Sequence, residues 1–162
     1  MIRLCLAILL ILAPAMAAQA QDSAQISRVQ SGQSCTGCNL FQADLSYRDL
    51  PGIDLSGSRL RQADLSLATM NGSRFDNANL SVANLFGARF TGASFRNANL
   101  SNSVLVGTYL GNADMTGANL TNANLSGAEL ETARGLTQSQ LNTACGDNST
   151  RLPAGRVISY CQ

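Results

Sequence analysis

The sequence predicts a solenoid, a chain wound into stacked repeats around one narrow core, and three observations carry that prediction. From Asn39 to Glu131 a large apolar residue returns at every fifth position: Leu40, Leu45, Leu50, Leu55, Leu60 and Leu65, then Met70, Phe75, Leu80, Leu85, Phe90 and Phe95, and on from Leu100 to Leu130. Two positions earlier stands a small residue, as at Ala43, Ala63, Ala78, Ala83, Ala98, Ala113 and Ala123. The remaining places hold Asn or Asp, Ser or Thr, and Gly or Asn, which are turn formers. Such a period fits neither one face of a helix nor one face of a strand. Self-similarity at a fixed short period marks a repeat architecture, in which each unit buries its apolar residue against its neighbours.

The units ANLSV, ANLSN, ADMTG, ANLTN and ANLSG resemble the pentapeptide-repeat family. The resemblance implies an all-β solenoid, a right-handed quadrilateral β-helix in which four units make one square coil and coils stack through backbone hydrogen bonds. On that form the run makes a rod roughly 23 Å long, at about 4.8 Å per coil. The chain then divides into a leader (1–20), a flexible lead-in (21–34), the β-helix (35–135) and a helical cap with a disulfide-stapled tail (136–162).

Taken in order, Met1 and Arg3 precede an apolar run from Leu4 to Ala13, then Pro14 and a small-residue stretch ending Ala18-Gln19-Ala20. This is the layout of a secretory signal peptide cut before Gln21, and the run is too short to span a bilayer. Cys5 lies inside the run and not at the cut, which argues against a lipid-anchored lipoprotein. The expectation is an exported protein, periplasmic or extracellular, with no membrane span after cleavage. Residues 21–34 are polar, aperiodic and rich in Gln and Ser, and read as a flexible lead-in; Ile26 and Val29 are the apolar material there for a short strand or cap.

Within the repeat, Arg48 and Ile53 occupy inward places where Ala or Ser is expected, and Pro51 stands at a turn it tolerates. Ser58, Ser73, Ser103 and Thr108 replace Ala conservatively. The period fails at Gly135. Leu136 to Leu141 then reads as a helix start, with Thr137 as N-cap, Gln140 as its reciprocal partner and Leu136 and Leu141 as a hydrophobic staple. The helix is expected to end near Cys145, with Gly146 beyond it. Its face of Leu141, Ala144 and Cys145 is expected to cover the last coil, whose apolar core and strand edges need a cap. The segment GLTQSQLNTACGD, followed by TRLPAG, resembles the tail of other exported bacterial pentapeptide-repeat proteins.

Cys35, Cys38, Cys145 and Cys161 follow the leader. In an exported chain an even number reads first as disulfides, and sequence alone leaves three pairings open. A rod that holds the two pairs a rod-length apart favours Cys35–Cys38 and Cys145–Cys161, since a disulfide needs Cα atoms within about 7 Å. Cys35 and Cys38 continue the inward positions, so both are expected to point into the first coil. A redox-active dithiol lacks its βαβ context, and a four-cysteine zinc site would require the pairs to meet.

The chain carries 11 Lys plus Arg against 10 Asp plus Glu, and no His. All the cations are Arg, and Arg3 lies in the leader, so the remaining chain is near neutral. That gives no support for nucleic-acid binding, where a basic stripe is expected. Without His the commonest general base is missing. Asp44, Asp49, Asp54 and Asp64 stand where Asn alternates with Asp and read as turn residues. The N-x-S/T matches at Asn79, Asn99, Asn119 and Asn124 follow from the repeat itself. No catalytic, cofactor-binding or metal-binding residues and no small-molecule substrate are expected.

Surface remains. With a coil of four units, Tyr47, Leu67, Gly87 and Gly107 stack, with Ser46, Ser66, Phe86 and Val106 beside them. Val104 joins the same face, and Val82 and Tyr109 flank it. Large apolar groups at outward positions mark a candidate interaction patch of Tyr47, Leu67, Val82, Phe86, Val104, Val106 and Tyr109. On a second face Arg74 and Arg96 stack near Arg59 and Arg61, a pattern equally read as solvated charge. The function expected is a non-catalytic, rigid interaction or structural module of the bacterial envelope, engaging a protein partner or itself. The family resemblance implies an alternative, gyrase interaction by an acidic rod that imitates DNA, which a signal peptide and a neutral surface disfavour. A redox or metal role of the cysteines is a second alternative.

Overall fold

The computed structural model describes residues 21–162, so the leader assigned to 1–20 lies outside the described residues. The repeat sequence makes one local move over and over. After each central apolar residue the chain turns, and the second turn residue takes a left-handed conformation: φ is +60° at Gln62, +57° at Asn77 and +69° at Gly72. The N–H of the next small residue closes the turn onto the central carbonyl, as from Ala63 to Leu60 at 3.0 Å. A positive φ at this place is the mark of a type II turn and explains the recurrent Gly and Asn.

Four such turns bring the chain back above itself. Parallel bridges join Asn39 to Arg59, Asp44 to Asp64, Asp49 to Thr69 and Asp54 to Arg74, and the same four faces repeat up the rod as far as Asp114 and Arg134. On each face both backbone groups are used. Leu45 N–H donates to Asp64 carbonyl at 2.8 Å, and Asp64 N–H donates back to Ala43 carbonyl at 2.9 Å. The architecture is the right-handed quadrilateral β-helix that the repeat implies.

The interior is narrow and mostly apolar. Every central residue from Leu40 to Leu130 is buried, as are the alanines between them. Burying each Leu or Phe fully stabilises the rod by about 1.5–3 kcal/mol. Phe75 and Phe95, in successive coils, stack with ring centroids 4.8 Å apart, and Phe90 meets both edge-on at 5.5 and 5.2 Å. Hydroxyls replace the inward alanines at no polar cost. Ser58 donates to Cys35 carbonyl at 2.8 Å, Ser73 to Leu50 carbonyl at 3.0 Å and Thr108 to Leu85 carbonyl at 3.0 Å. Ile53 is buried, but Arg48, expected at an inward place, is exposed. An unpaired guanidinium is far costlier to bury than to turn outward.

The residue before each central one fastens the turn that follows. Asp44 Oδ1 accepts from the N–H of Ser46 at 3.0 Å and from its hydroxyl at 2.7 Å. Asp54 with Ser56, Asp114 with Thr116 and Asn119 with Thr121 repeat this arrangement. The hydroxyl donated by the Ser or Thr leads the causes that hold Asp44, Asp54 and Asp114 below the ordinary carboxylate range. Asn79, Asn99 and Asn124 likewise accept from the N–H two residues on. Their side chains are fastening turns.

Both ends differ from the sequence expectation. The segment 21–34 is not a flexible lead-in throughout, because Ser23–Gln30 forms helix α1 with Asp22 as its N-cap. Val29 is completely buried on the first coil and Ile26 packs beside it. The glutamines stand in for a missing coil: Gln25 Oε1 accepts from Asn39 N–H at 2.6 Å, and Gln30 Nε2 donates to Asp44 carbonyl at 2.8 Å.

At the other end the capping box of Thr137 and Gln140 forms as read, but helix α2 spans only Gln138–Leu141. It stops short of Cys145 because the chain returns to the ladder. Asn122 N–H donates to Thr143 carbonyl at 2.7 Å, and Leu125 N–H to Cys145 carbonyl at 2.7 Å. Cys145–Gly146 forms β1, paired in parallel with Ser159–Tyr160, β2. The tail is thus a last, irregular coil, bridging Asn124 to Cys145 and Glu129 to Arg151. Gln140 Nε2 closes the edge of the coil beneath it by donating to the Met115 and Ala118 carbonyls, each at 2.9 Å. Cys35 pairs with Cys38 at a Cα separation of 5.6 Å, and Cys145 with Cys161 at 4.8 Å. Cys35 points into the first coil as expected, whereas Cys38 is half-buried.

Candidate functional site

One corner of the square rod is apolar along four coils. The backbone defines the column: Tyr47 N–H donates to Ser66 carbonyl at 2.9 Å, Leu67 N–H to Phe86 carbonyl at 2.8 Å and Gly87 N–H to Val106 carbonyl at 2.9 Å. Tyr47, Leu67, Phe86 and Val106 therefore follow one another up the corner. Tyr47 is 76% exposed and Phe86 48%, while Val106 is half-buried. Leu67 lies across the coil above it: a Cβ on Gly87 would sit 2.7 Å from Leu67 Cδ2. Glycine at 87 is what lets the leucine lie flat along the column.

The other patch residues border this column. Val104 stands mid-face beside it, in the row of Asp44, Asp64 and Asn84. Tyr109 stands on the adjoining face above Arg89, whose guanidinium carbon is 4.7 Å from the tyrosine ring centroid. Val82 occupies the far corner of the first face, level with Phe86. The structure thus brings Tyr47, Leu67, Phe86, Val104 and Val106 together, with Tyr109 adjoining and Val82 a face-width away.

Sequence reading missed a property of three of these residues. Tyr47, Leu67 and Val82 have φ of +57°, +58° and +60°, in the turn place held elsewhere by Gly, Asn or Gln. Left-handed backbone costs an L-residue roughly 1–2 kcal/mol, and a β-branched one is the worst case. The signal was present in the alignment of the units against each other, since these side chains sit in the glycine column. Sequence reading also missed Val157 and Tyr160, exposed on the tail. Gln138 holds that tail loop, donating from Nε2 to Val157 carbonyl at 2.8 Å and accepting from its N–H at 3.2 Å.

The second face carries neutralised charge. Arg74 pairs with Asp76 at 3.0 Å and reaches Asp54 at 3.9 Å, and Arg96 meets Asp114 at 3.4 Å. Among the described residues no group of three or more Cys, Asp or Glu side chains is placed to hold a metal, and no helix is long and apolar enough to cross a membrane.

The family model described as pentapeptide repeats matches residues 38–77, 63–102 and 98–134. Solved structures that resemble the chain include HetL, a pentapeptide repeat protein involved in heterocyst differentiation regulation in the cyanobacterium Nostoc (26% identity over 79% of this chain and 60% of that one, TM-score 0.45). Another is a pentapeptide repeat protein of the Arabidopsis thaliana thylakoid lumen (31% identity over 72% and 62%, TM-score 0.37). A third is QnrB1, a plasmid-mediated fluoroquinolone resistance protein (22% identity over 70% of each chain, TM-score 0.35). The chain spans 60% and 62% of the lengths of the first two. Among curated proteins no match was found.

Proposed function

Because this chain belongs to the pentapeptide-repeat family, we propose that it is a non-catalytic, exported protein-interaction module that presents the corner column of Tyr47, Leu67, Phe86 and Val106 to a protein partner. The observation that carries this reading is the pair of apolar side chains, Tyr47 and Leu67, held at left-handed turn positions where the repeat elsewhere places Gly, Asn or Gln, with Phe86 and Val106 continuing the column above them. A strained backbone combined with an exposed apolar group costs stability and solubility together, and such combinations cluster at functional surfaces.

Export is supported by the signal-peptide layout of residues 1–20 and by cysteines brought to bonding distance in two pairs, an arrangement that persists in oxidising compartments. An acidic DNA mimic draws no support here, since Arg74 and Arg96 are interleaved with Asp54, Asp76 and Asp114.

The test is crosslinking of the tagged protein in its native cells, comparing wild type with Phe86→Asp. A reproducible envelope protein, captured by the wild type and lost from the variant, is the expected result. An identical capture pattern from both would remove the column from the reading. Recovery of the protein in the cytosol with its leader attached would remove export.

A further inference from the structure

We infer that the corner column is shaped for an amphipathic helix with basic side chains beside its apolar stripe; the inference rests on the interaction reading above. Successive coils place an apolar group about every 4.8 Å along the corner. A helix lying along the rod offers its i, i+4 and i+7 residues at about 5.4 Å per turn, and an extended strand offers same-side residues about every 6.8 Å. Over the three intervals from Tyr47 to Val106 the helix drifts by roughly 2 Å and the strand by roughly 6 Å. Only the helix keeps its side chains seated between coils.

Along the sides of the rod each coil's N–H and carbonyl groups are used by the coils above and below, as at Leu67 to Phe86 and Asp64 to Ala43. A partner strand would find no ladder to extend, so recognition on this corner goes through side chains.

Around the lower half of the column stand Asp44 and Asp64 on one side and Asp49 on the other, with Arg48 between them and Arg61 at the far corner of the Asp64 face. The hydroxyl of Ser46 keeps Asp44 ionised, its carboxyl held below the usual range. The rest of the column is bordered by Asn84, Val104 and Tyr109, with Arg89 drawn onto the tyrosine ring. A partner with cations over the lower coils and apolar groups throughout is complementary to this layout, and an acidic helix is repelled by it.

The experiment measures binding of two labelled peptides by fluorescence anisotropy. Both are about fifteen residues long with the same leucine stripe at helical spacing, long enough to hold a helix when docked. One carries lysine at its remaining positions and the other glutamate. The lysine peptide is expected to bind about tenfold or more tightly than the glutamate peptide, with the gap closing at high salt. The double variant Leu67→Asn with Phe86→Ser, which restores ordinary repeat residues and so keeps the fold, is expected to lose binding. Asp49→Arg is expected to narrow the preference while leaving the leucine stripe engaged. Equal affinity for the two peptides would overturn the basic-helix inference and leave the column as an interaction face. Binding of neither peptide would overturn it as well. Unchanged binding in the double variant would show that the column is not the site.

Discussion

Gln25 Oε1 accepts a hydrogen bond from the backbone N–H of Asn39 at 2.6 Å. One coil higher on the same face, the N–H of Arg59 donates to the backbone carbonyl of Cys38 at 2.8 Å. A side-chain amide therefore does for the first coil what backbone does for the next. Gln25→Ala is expected to cost about 1–2 kcal/mol, because it leaves a part-buried donor unpaired. Hydrogen exchange at Asn39 should accelerate sharply while exchange at Asn99 stays slow. Uniform acceleration along the rod would mean that the caps and the coils do not open separately.

Val82 is the clearest case of strain carried for another purpose. A β-branched residue at φ +60° occupies a place that Asn fills at positions 102 and 122. Val82→Asn should raise stability by about 1 kcal/mol, read as a higher urea midpoint at unchanged slope. A lower midpoint would show that valine's contacts at the corner outweigh its backbone cost.

The aromatic triad is the most sensitive point of the interior. Phe95→Ala removes a ring that is stacked on Phe75 and met edge-on by Phe90, in a core too narrow to collapse around the gap. A loss of about 3–5 kcal/mol is expected from denaturant unfolding. A cost below 1 kcal/mol would mean that neighbouring coils close over the void.

The two cysteine pairs should contribute unequally. Cys145–Cys161 closes a separation of 16 residues and Cys35–Cys38 a separation of 3. On the chain-entropy account Cys161→Ser costs about 3 kcal/mol and Cys38→Ser less. Unfolding with and without reductant checks the order, and the difference should vanish when both proteins are reduced.

Acid should weaken the rod in a defined direction. Asp44, Asp54 and Asp114 have folded-state values lowered by hydroxyl and backbone donors. A lowered carboxylate contributes its stability fully above the unfolded value of about 3.9 and loses it as pH falls through the folded value. Unfolding midpoints measured from neutral pH downward should hold level and then drop below about pH 4. A drop already complete at pH 6 would point to some other group.

Periodicity made the coils readable because each unit repeats one decision: Leu inward, Ala inward, a left-handed residue at the corner. The ends were harder to read, since they are not periodic. Gln25 and Gln30 look like ordinary polar filler until the edge they satisfy is in view. The same holds for Thr143 and Cys145, whose carbonyls leave the helix pattern to serve the coil beneath. The five-residue period placed Tyr47, Leu67 and Phe86 on one corner, but the left-handed backbone of Tyr47 and Leu67 appeared only with the backbone angles.

The parallel bridges of this molecule have a consequence for how its length can change. Inserting a copy of one whole coil, as from Asn79 to the residue before Asn99, preserves the angular position of every later side chain. Removing a single five-residue unit between Leu67 and Phe86, such as Ser73 to Asn77, would instead turn everything above it by a quarter revolution. Tyr47 and Leu67 would then look out in one direction and Phe86 and Val106 in another, with both caps untouched. The molecule is thus a ruler graduated in coils, and its corner survives only edits made in whole graduations.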